Sequence, residues 1–298
     1  MMMKLGVIGI GVMGDPIARN LKKAGFDVTV YSRRPESCAP LREAGIAVGQ
    51  GVADVIAASD ATILMLPGHK EIDAVLQRAA DGRIGVPVEG KTLVLMATVA
   101  PAYSLALERA VLAAGGRYVE SPVSGSKTPA QTGQLVVLAA AADPAQLDAL
   151  QPAFDAIGKR TVRCGAVPGA MRMKLANNLL LIASFEAITE AVHFAGSVGL
   201  DVQQFLEMAQ AGPLANDVLR MKAPKLLADD FERQAAISQA FKDIGFVCDE
   251  AEARGLWLPA ARTNRTVFGE AMRRGQGDED VIGVIKVLRD GMPSAIDA

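Results

Sequence analysis

The stretch that decides the fold is "GVIGIGVMGDPIARNL", residues 6–21. It places Gly9, Gly11 and Gly14 in the order G-x-G-x-x-G, between a compact apolar run and a segment of helical spacing. The glycine pattern alone is weak. Between a strand and a helix it reads as a dinucleotide-binding turn. Gly9 permits the tight turn, Gly11 lets the backbone approach a pyrophosphate, and Gly14 lets helix and strand pack closely. Val12 and Met13, on the same turn, are expected to touch the cofactor as well. The helix N-terminus that follows offers N–H groups and the positive end of its dipole to the phosphates.

Working outward, the first half of the chain alternates. "KLGVIGI", "DVTVYSR", "ATILMLP", "KTLVLMAT", "RYVESPV" and "QLVVLAAA" read as strands, separated by helical patterns such as "PAYSLALERAVLAAGG". The strands are apolar throughout, as expected of a parallel sheet covered on both faces. After "RTVRCG" no convincing strand is visible. One long helical pattern runs from Gly169 to about Ser197, and further helices are expected around 201–211, 214–227, 233–254, 258–274 and 278–289. The expected plan is a Rossmann-type doubly wound α/β domain over residues 1–165. An all-helical domain over residues 166–298 would then be led by a long interdomain helix.

The end of the second strand bears on the cofactor. An NAD site usually has an acid there for the ribose 2′-hydroxyl; this chain has "VYSRRPE", with Ser32, Arg33 and Arg34 in its place. Arginine can hold a 2′-phosphate through several donors, so NADP(H) is favoured over NAD(H), the alternative being two solvated arginines. In "MLPGH", Leu66 and Pro67 follow another strand, where loops line the ligand crevice.

Composition narrows the function classes. Half of the 298 residues are hydrophobic and the formal net charge is −2, so nothing suggests a nucleic-acid partner. The three cysteines form no CxxC pair and there are two histidines, which argues against a metal site and for a reducing, cytoplasmic setting. No uninterrupted apolar run approaches the ~20 residues that span a bilayer, and no membrane partner is expected. A helical domain built on one largely apolar helix is expected to leave apolar surface for a homodimer or homotetramer.

"GAMRMKLANN", residues 169–178, sets Lys174 in an apolar helical run, with Asn178 four residues on and on the same face. A lysine there either works as a proton donor and acceptor or snorkels to solvent. The local pattern does not choose between the two.

Together these segments resemble the β-hydroxyacid dehydrogenases, relatives of 3-hydroxyisobutyrate and 6-phosphogluconate dehydrogenases. The resemblance spans essentially the whole chain and rests on "GVIGIGVMGDPIARNLKKAG", "ESPVSGSKTPAQTGQLVVLAA", "GAMRMKLANNLLL" and "FKDIGFVCDEAEARG". The form "SGSK" looks most like the glyoxylate/succinic semialdehyde reductase branch. The resemblance implies that Lys174 is the general acid/base. It implies that Ser124, the Gly125 backbone and Asn178 hold the substrate, a small carboxylate-bearing aldehyde or hydroxyacid. Thr98 would lie by the nicotinamide, Lys242 would reach the cofactor, and Asp243 would stand near the active site.

This chain departs from the family pattern in three places. "LMAT" puts Leu95 and Ala97 where an acid and a serine are usual. Val167 replaces a glycine, and "GDEDVIGVI" lacks a serine. The expected activity is NADPH-dependent reduction of an aldehyde acid. Oxidation of a 3-hydroxyisobutyrate-type acid is the close alternative, and a non-catalytic NADP(H)-binding protein the rival from another class.

Overall fold

The computed structural model describes residues 2–291; residue 1 and residues 292–298, the outer ends of the two expected domains, lie outside the described residues. The chain divides into two compact units, residues 1–174 and 175–298.

In the first unit, nine strands are described: β1 (Lys4–Ile8), β2 (Asp27–Tyr31), β3 (Ala47–Val48), β4 (Ala61–Leu64), β5 (Thr92–Leu95), β6 (Arg117–Glu120), β7 (Val123–Ser124), β8 (Leu135–Ala139) and β9 (Gly158–Arg163). The first six form a parallel sheet in the order β3-β2-β1-β4-β5-β6. The chain therefore winds outward from β1 to one edge, then returns to the middle and winds to the other. Both faces are covered, one by an apolar cluster containing Val7, Ile17, Leu21 and Phe154 and the other by one containing Ile8, Ile56, Leu64 and Leu107. Burial on both faces is why these strands carry near-continuous apolar runs.

The expected single parallel sheet differs from the structure in one respect. "RYVESPV" is two strands, broken at Ser121–Pro122, since proline has no N–H to give to a ladder. β7 pairs antiparallel with β8, and β8 pairs parallel with β9, in a separate three-stranded sheet. The two sheets meet at an antiparallel bridge between Glu120 and Ala140.

The second unit is helical. Its described elements beyond the long helix Gly169–Ser197 are Val202–Ala211, Asp217–Leu227, Ile237–Ala253, Pro259–Arg273, a 3-10 turn at Val281–Val284, and Ile285–Asp290. Along the long helix, Leu175, Asn178, Ile182, Phe185, Thr189 and Val192 are all buried, at spacings of three and four. That stripe is the spine of the helical core, with Phe185 packed among Ile244, Phe268 and Val284. By length and composition this helix is apolar enough to cross a membrane, although the sequence shows no uninterrupted run of that kind; here it is the core helix of its unit. A buried ion pair between Lys222 and Asp280 (2.8 Å) ties the unit together, and Asp280 also accepts the backbone N–H groups of Gln234 and Ala235.

Candidate active site

The residues expected to hold a dinucleotide converge on one sheet edge. β2, β1, β4 and β5 are neighbours and parallel, so their carboxyl ends point the same way. The turn after β1 carries Gly9 to Gly14, Ser32 to Arg34 follow β2, Leu66 and Pro67 follow β4, and Thr98 follows β5. The glycine turn lies where the strand order reverses, the crevice in which open α/β sheets bind ligands.

The three glycines differ in what holds them there. Gly9 has φ +101°, and a Cβ would overlap the Met65 carbonyl oxygen. A Cβ on Gly14 would overlap the Gly9 carbonyl oxygen, since helix Gly14–Lys23 starts against the turn. Gly11 meets nothing within 4 Å. No packing contact of this chain calls for a glycine at position 11, and the open backbone leaves room for a phosphate to approach. Arg33 and Arg34 are exposed and form no ion pair among the described residues. The Arg34 N–H donates to Ser32 Oγ at 3.2 Å, which orients the turn that presents them.

Leu95 and Ala97 are buried in the apolar cluster on one sheet face. Leu95 stands in register with Glu120 on β6. An acid at position 95 would therefore sit beside a second buried carboxylate, and leucine removes that repulsion.

Ser124 belongs to β7, in the small sheet, and Gly125 follows it with φ +129°, a conformation that favours glycine. The structure thus carries these two residues past the carboxyl end of β6 on a separate sheet.

Lys174 lies on the second turn of the long helix and is 9% exposed, and Asn178, one turn further, is 5% exposed. A buried amide needs partners. Asn178 Nδ2 donates to Asp243 Oδ2 at 2.7 Å, from helix Ile237–Ala253. Lys242 Nζ lies 3.6 Å from Asp243 Oδ1 and 5.9 Å from the centre of the Phe246 ring. The helical unit therefore brings Asn178, Lys242 and Asp243 together.

Glu120, in "ESPVSG", has no role that follows from the sequence. It is fully buried, and its carboxylate accepts the Met171 N–H at 2.8 Å and the Ser104 hydroxyl. Tyr118 and Ser104 share a further hydroxyl–hydroxyl bond of 2.7 Å. Burial pushes the Glu120 carboxyl above its ordinary value, while the Ser104 hydroxyl and the Met171 and Ala170 N–H groups pull it back. No side-chain pattern could have pointed to this cluster, because one donor is a backbone group some fifty residues along the chain and the other a serine from a different helix.

Val167 is buried and its peptide bond to Pro168 is cis, immediately before the long helix. A cleft of about 460 Å³ in the helical unit is lined by His193, Asp229 and Arg289 among others, and no expected site residue lines it. Among the described residues no group of His, Cys, Asp and Glu could hold a metal ion.

Comparison with known proteins adds to this geometry. Residues 4–165 match the family model for the NAD binding domain of 6-phosphogluconate dehydrogenase. Residues 169–288 match that for the NAD-binding domain of NADP-dependent 3-hydroxyisobutyrate dehydrogenase. The chain is 33% identical to glyoxylate/succinic semialdehyde reductase 1 of Arabidopsis thaliana, over 96% of this chain and 99% of that protein. It is 28% identical to 2-hydroxy-3-oxopropionate reductase of Escherichia coli K12, over 96% and 97% of the two chains. A crystal structure of 3-hydroxyisobutyrate dehydrogenase from Salmonella typhimurium superposes with a TM-score of 0.85 at 25% identity, covering 96% of this chain and 99% of that one. With the glycine turn at the switch point, a helical second unit and both halves matched in this way, the chain belongs to the β-hydroxyacid dehydrogenase family and is an oxidoreductase with a nicotinamide-dinucleotide binding domain.

Proposed function

We propose that the protein is an NADPH-dependent reductase of small aldehyde acids, of the succinic semialdehyde or glyoxylate type, with Lys174 as general acid/base. The observation that carries the reading is Lys174 itself, a 9% exposed lysine on the helix that also bears Asn178. The 33% identity to a glyoxylate/succinic semialdehyde reductase supports the substrate class. The turn Gly9, Gly11, Val12, Met13 and Gly14 holds the pyrophosphate. Ser32, Arg33 and Arg34 hold a 2′-phosphate, which favours NADP(H) over NAD(H). Leu66, Pro67, Thr98 and Lys242 complete the cofactor contacts.

Bound there, the reduced cofactor supplies a hydride to the substrate. Ser124 and the Gly125 backbone hold the substrate carboxylate. Lys174 gives a proton to the carbonyl oxygen during reduction and takes one back during oxidation. Asn178, one turn along the same helix, orients the substrate oxygen. Its own amide is fixed by the 2.7 Å bond to Asp243. Fixing these groups in advance lowers the entropic part of the barrier. In this reading the dinucleotide domain spans residues 1–165 and the helical domain 166–298. The protein is cytoplasmic, needs neither metal, nucleic acid nor membrane, and assembles as a homodimer or homotetramer.

A second reading, binding of NADP(H) without turnover, draws on Leu95 and Ala97, where apolar core has replaced polar groups near the expected nicotinamide position. Both readings are tested by steady-state oxidation of NADPH and NADH with succinic semialdehyde, glyoxylate, tartronate semialdehyde and methylmalonate semialdehyde. Turnover preferring NADPH by tenfold or more is expected. Tight NADPH binding with no turnover on any acid would leave the second reading standing, and turnover confined to 3-hydroxyisobutyrate oxidation would move the assignment within the family.

A further inference from the structure

Glu120 ends β6, and the long helix begins at Gly169, some fifty residues later. Its carboxylate is the meeting point of the two. One oxygen accepts the Met171 N–H at 2.8 Å, and the Ser104 hydroxyl donates to the other oxygen. Ala170 and Met171 are fully buried and lie in the first turn of the helix. The N–H groups of a first helical turn have no partner within the helix. Here a carboxylate from the sheet satisfies the Met171 N–H, at the end of the helix where the macrodipole favours negative charge. The carboxylate is itself held: Ser104, from helix Pro101–Ala113, donates to it, and Ser104 is bonded in turn to Tyr118 of β6.

Lys174 follows Ala170 by four residues and Met171 by three. At about 100° and 1.5 Å per residue it lies on the same side of the helix, one turn on. Whatever fixes the height and rotation of the first turn therefore fixes the base from which the lysine side chain extends. A displacement of about an ångström at a reacting group can cost on the order of a hundredfold in rate. Leu95, in register beside Glu120, keeps a second acid out of this part of the sheet.

We propose that Glu120 is a positioning residue for the reaction: its buried carboxylate seats the first turn of the long helix on the sheet edge and so sets the placement of Lys174. This rests on the assignment of Lys174 as the acid/base. A residue that only stabilises the fold would lower activity whether or not the lysine is present. One that acts through Lys174 would not.

The test is a double-mutant cycle on kcat with the best aldehyde acid, alongside NADPH binding by fluorescence and thermal midpoints. Glu120→Ala should lower kcat tenfold or more in the parent and less than twofold in the Lys174→Ala background, with the NADPH Kd within about threefold of the parent. Glu120→Gln should restore kcat to within about threefold. Its amide oxygen can still accept the Met171 N–H, and its NH2 can donate to a Ser104 hydroxyl that has turned toward Tyr118. Should Glu120→Ala fail to fold, Glu120→Asp carries the same cycle. It keeps the charge but withdraws the carboxylate by one methylene, and it should lower kcat only when Lys174 is present. Equal losses in the two backgrounds, or an unchanged kcat in the folded variant, would overturn the positioning role. If Lys174→Ala keeps full activity, it is the acid/base assignment that fails.

Discussion

Gly11 and Gly14 sit three residues apart, and the structure asks different things of them. A Cβ at Gly14 would run into the Gly9 carbonyl, whereas one at Gly11 would meet nothing within 4 Å among the described residues beyond its chain neighbours. Gly14→Ala must shift backbone and is expected to cost about 1–3 kcal/mol, the range for overpacking a tight site. If the glycine turn holds the pyrophosphate as proposed, Gly11→Val should leave the thermal midpoint within a degree or two of the parent and weaken NADPH at least tenfold, because the added side chain would take the phosphate's room. Thermal melts and a fluorescence titration separate the two. A Gly11→Val protein that binds NADPH as tightly as the parent would remove the glycine turn from the cofactor site. At this scale the glycine turn was legible, because it is a local pattern on one βα unit; the arginine pair at 33–34 is as local, and its reading as a 2′-phosphate site stays a proposal. Glu120 was not legible, because its partners are a backbone N–H and a serine brought in by tertiary folding.

The long helix shows what periodicity does and does not reveal. Buried positions at spacings of three and four made it visible as a helix from Gly169 to Ser197, and they continue through the polar residues Asn178 and Thr189. The short and polar strands were harder to read. β3, at the edge of the first sheet, is two residues long, too short for any alternation, and β9 of the second sheet, "GKRTVR", is polar and half exposed. The antiparallel turn of β7 depends on a proline break rather than on a hydrophobic pattern. The same helix also carries a titratable strain. Glu186 is buried, and burial, then the like charge of Glu190 one turn on, raise its carboxyl above the ordinary value. A group whose folded pKa is raised binds more protons in the folded state than in the unfolded one. Its contribution to stability is therefore complete below the unfolded value, near 4.5, and is lost as pH rises through the folded value. Glu186→Gln cannot titrate, so its stability relative to the parent should improve between about pH 4 and pH 7. Urea midpoints of the two proteins at both pH values measure this; a difference that does not change with pH would contradict it.

At the scale of the whole molecule, the helical unit presents large apolar side chains that its own core does not use. Leu180 is 71% exposed and Phe194 64%, on the same helix whose opposite stripe is buried, and Met208 is 63% exposed on the next. Exposed apolar surface of this kind marks an interface. Light scattering at micromolar concentration should give at least twice the chain mass of 31.2 kDa. Leu180→Glu with Phe194→Glu should shift the protein toward the monomer, and a monomeric parent would remove the assembly from the account.

The fold class was legible at this scale because alternation of strands and helices, then helices alone, is a pattern of the chain as a whole. The identity of the substrate was not, since one methylene in a pocket is worth only ~1–3 kcal/mol and has no signature in spacing. The central claim is narrower than substrate identity, namely that Lys174 moves the proton. It is tested most directly by kcat for NADPH-dependent reduction of the best aldehyde acid in the parent and in Lys174→Ala, with NADPH binding measured on both. The account predicts a loss of about 10²- to 10⁴-fold in kcat, the range for removing a general acid, with cofactor affinity little changed. A Lys174→Ala enzyme that turns over within a few-fold of the parent would contradict it.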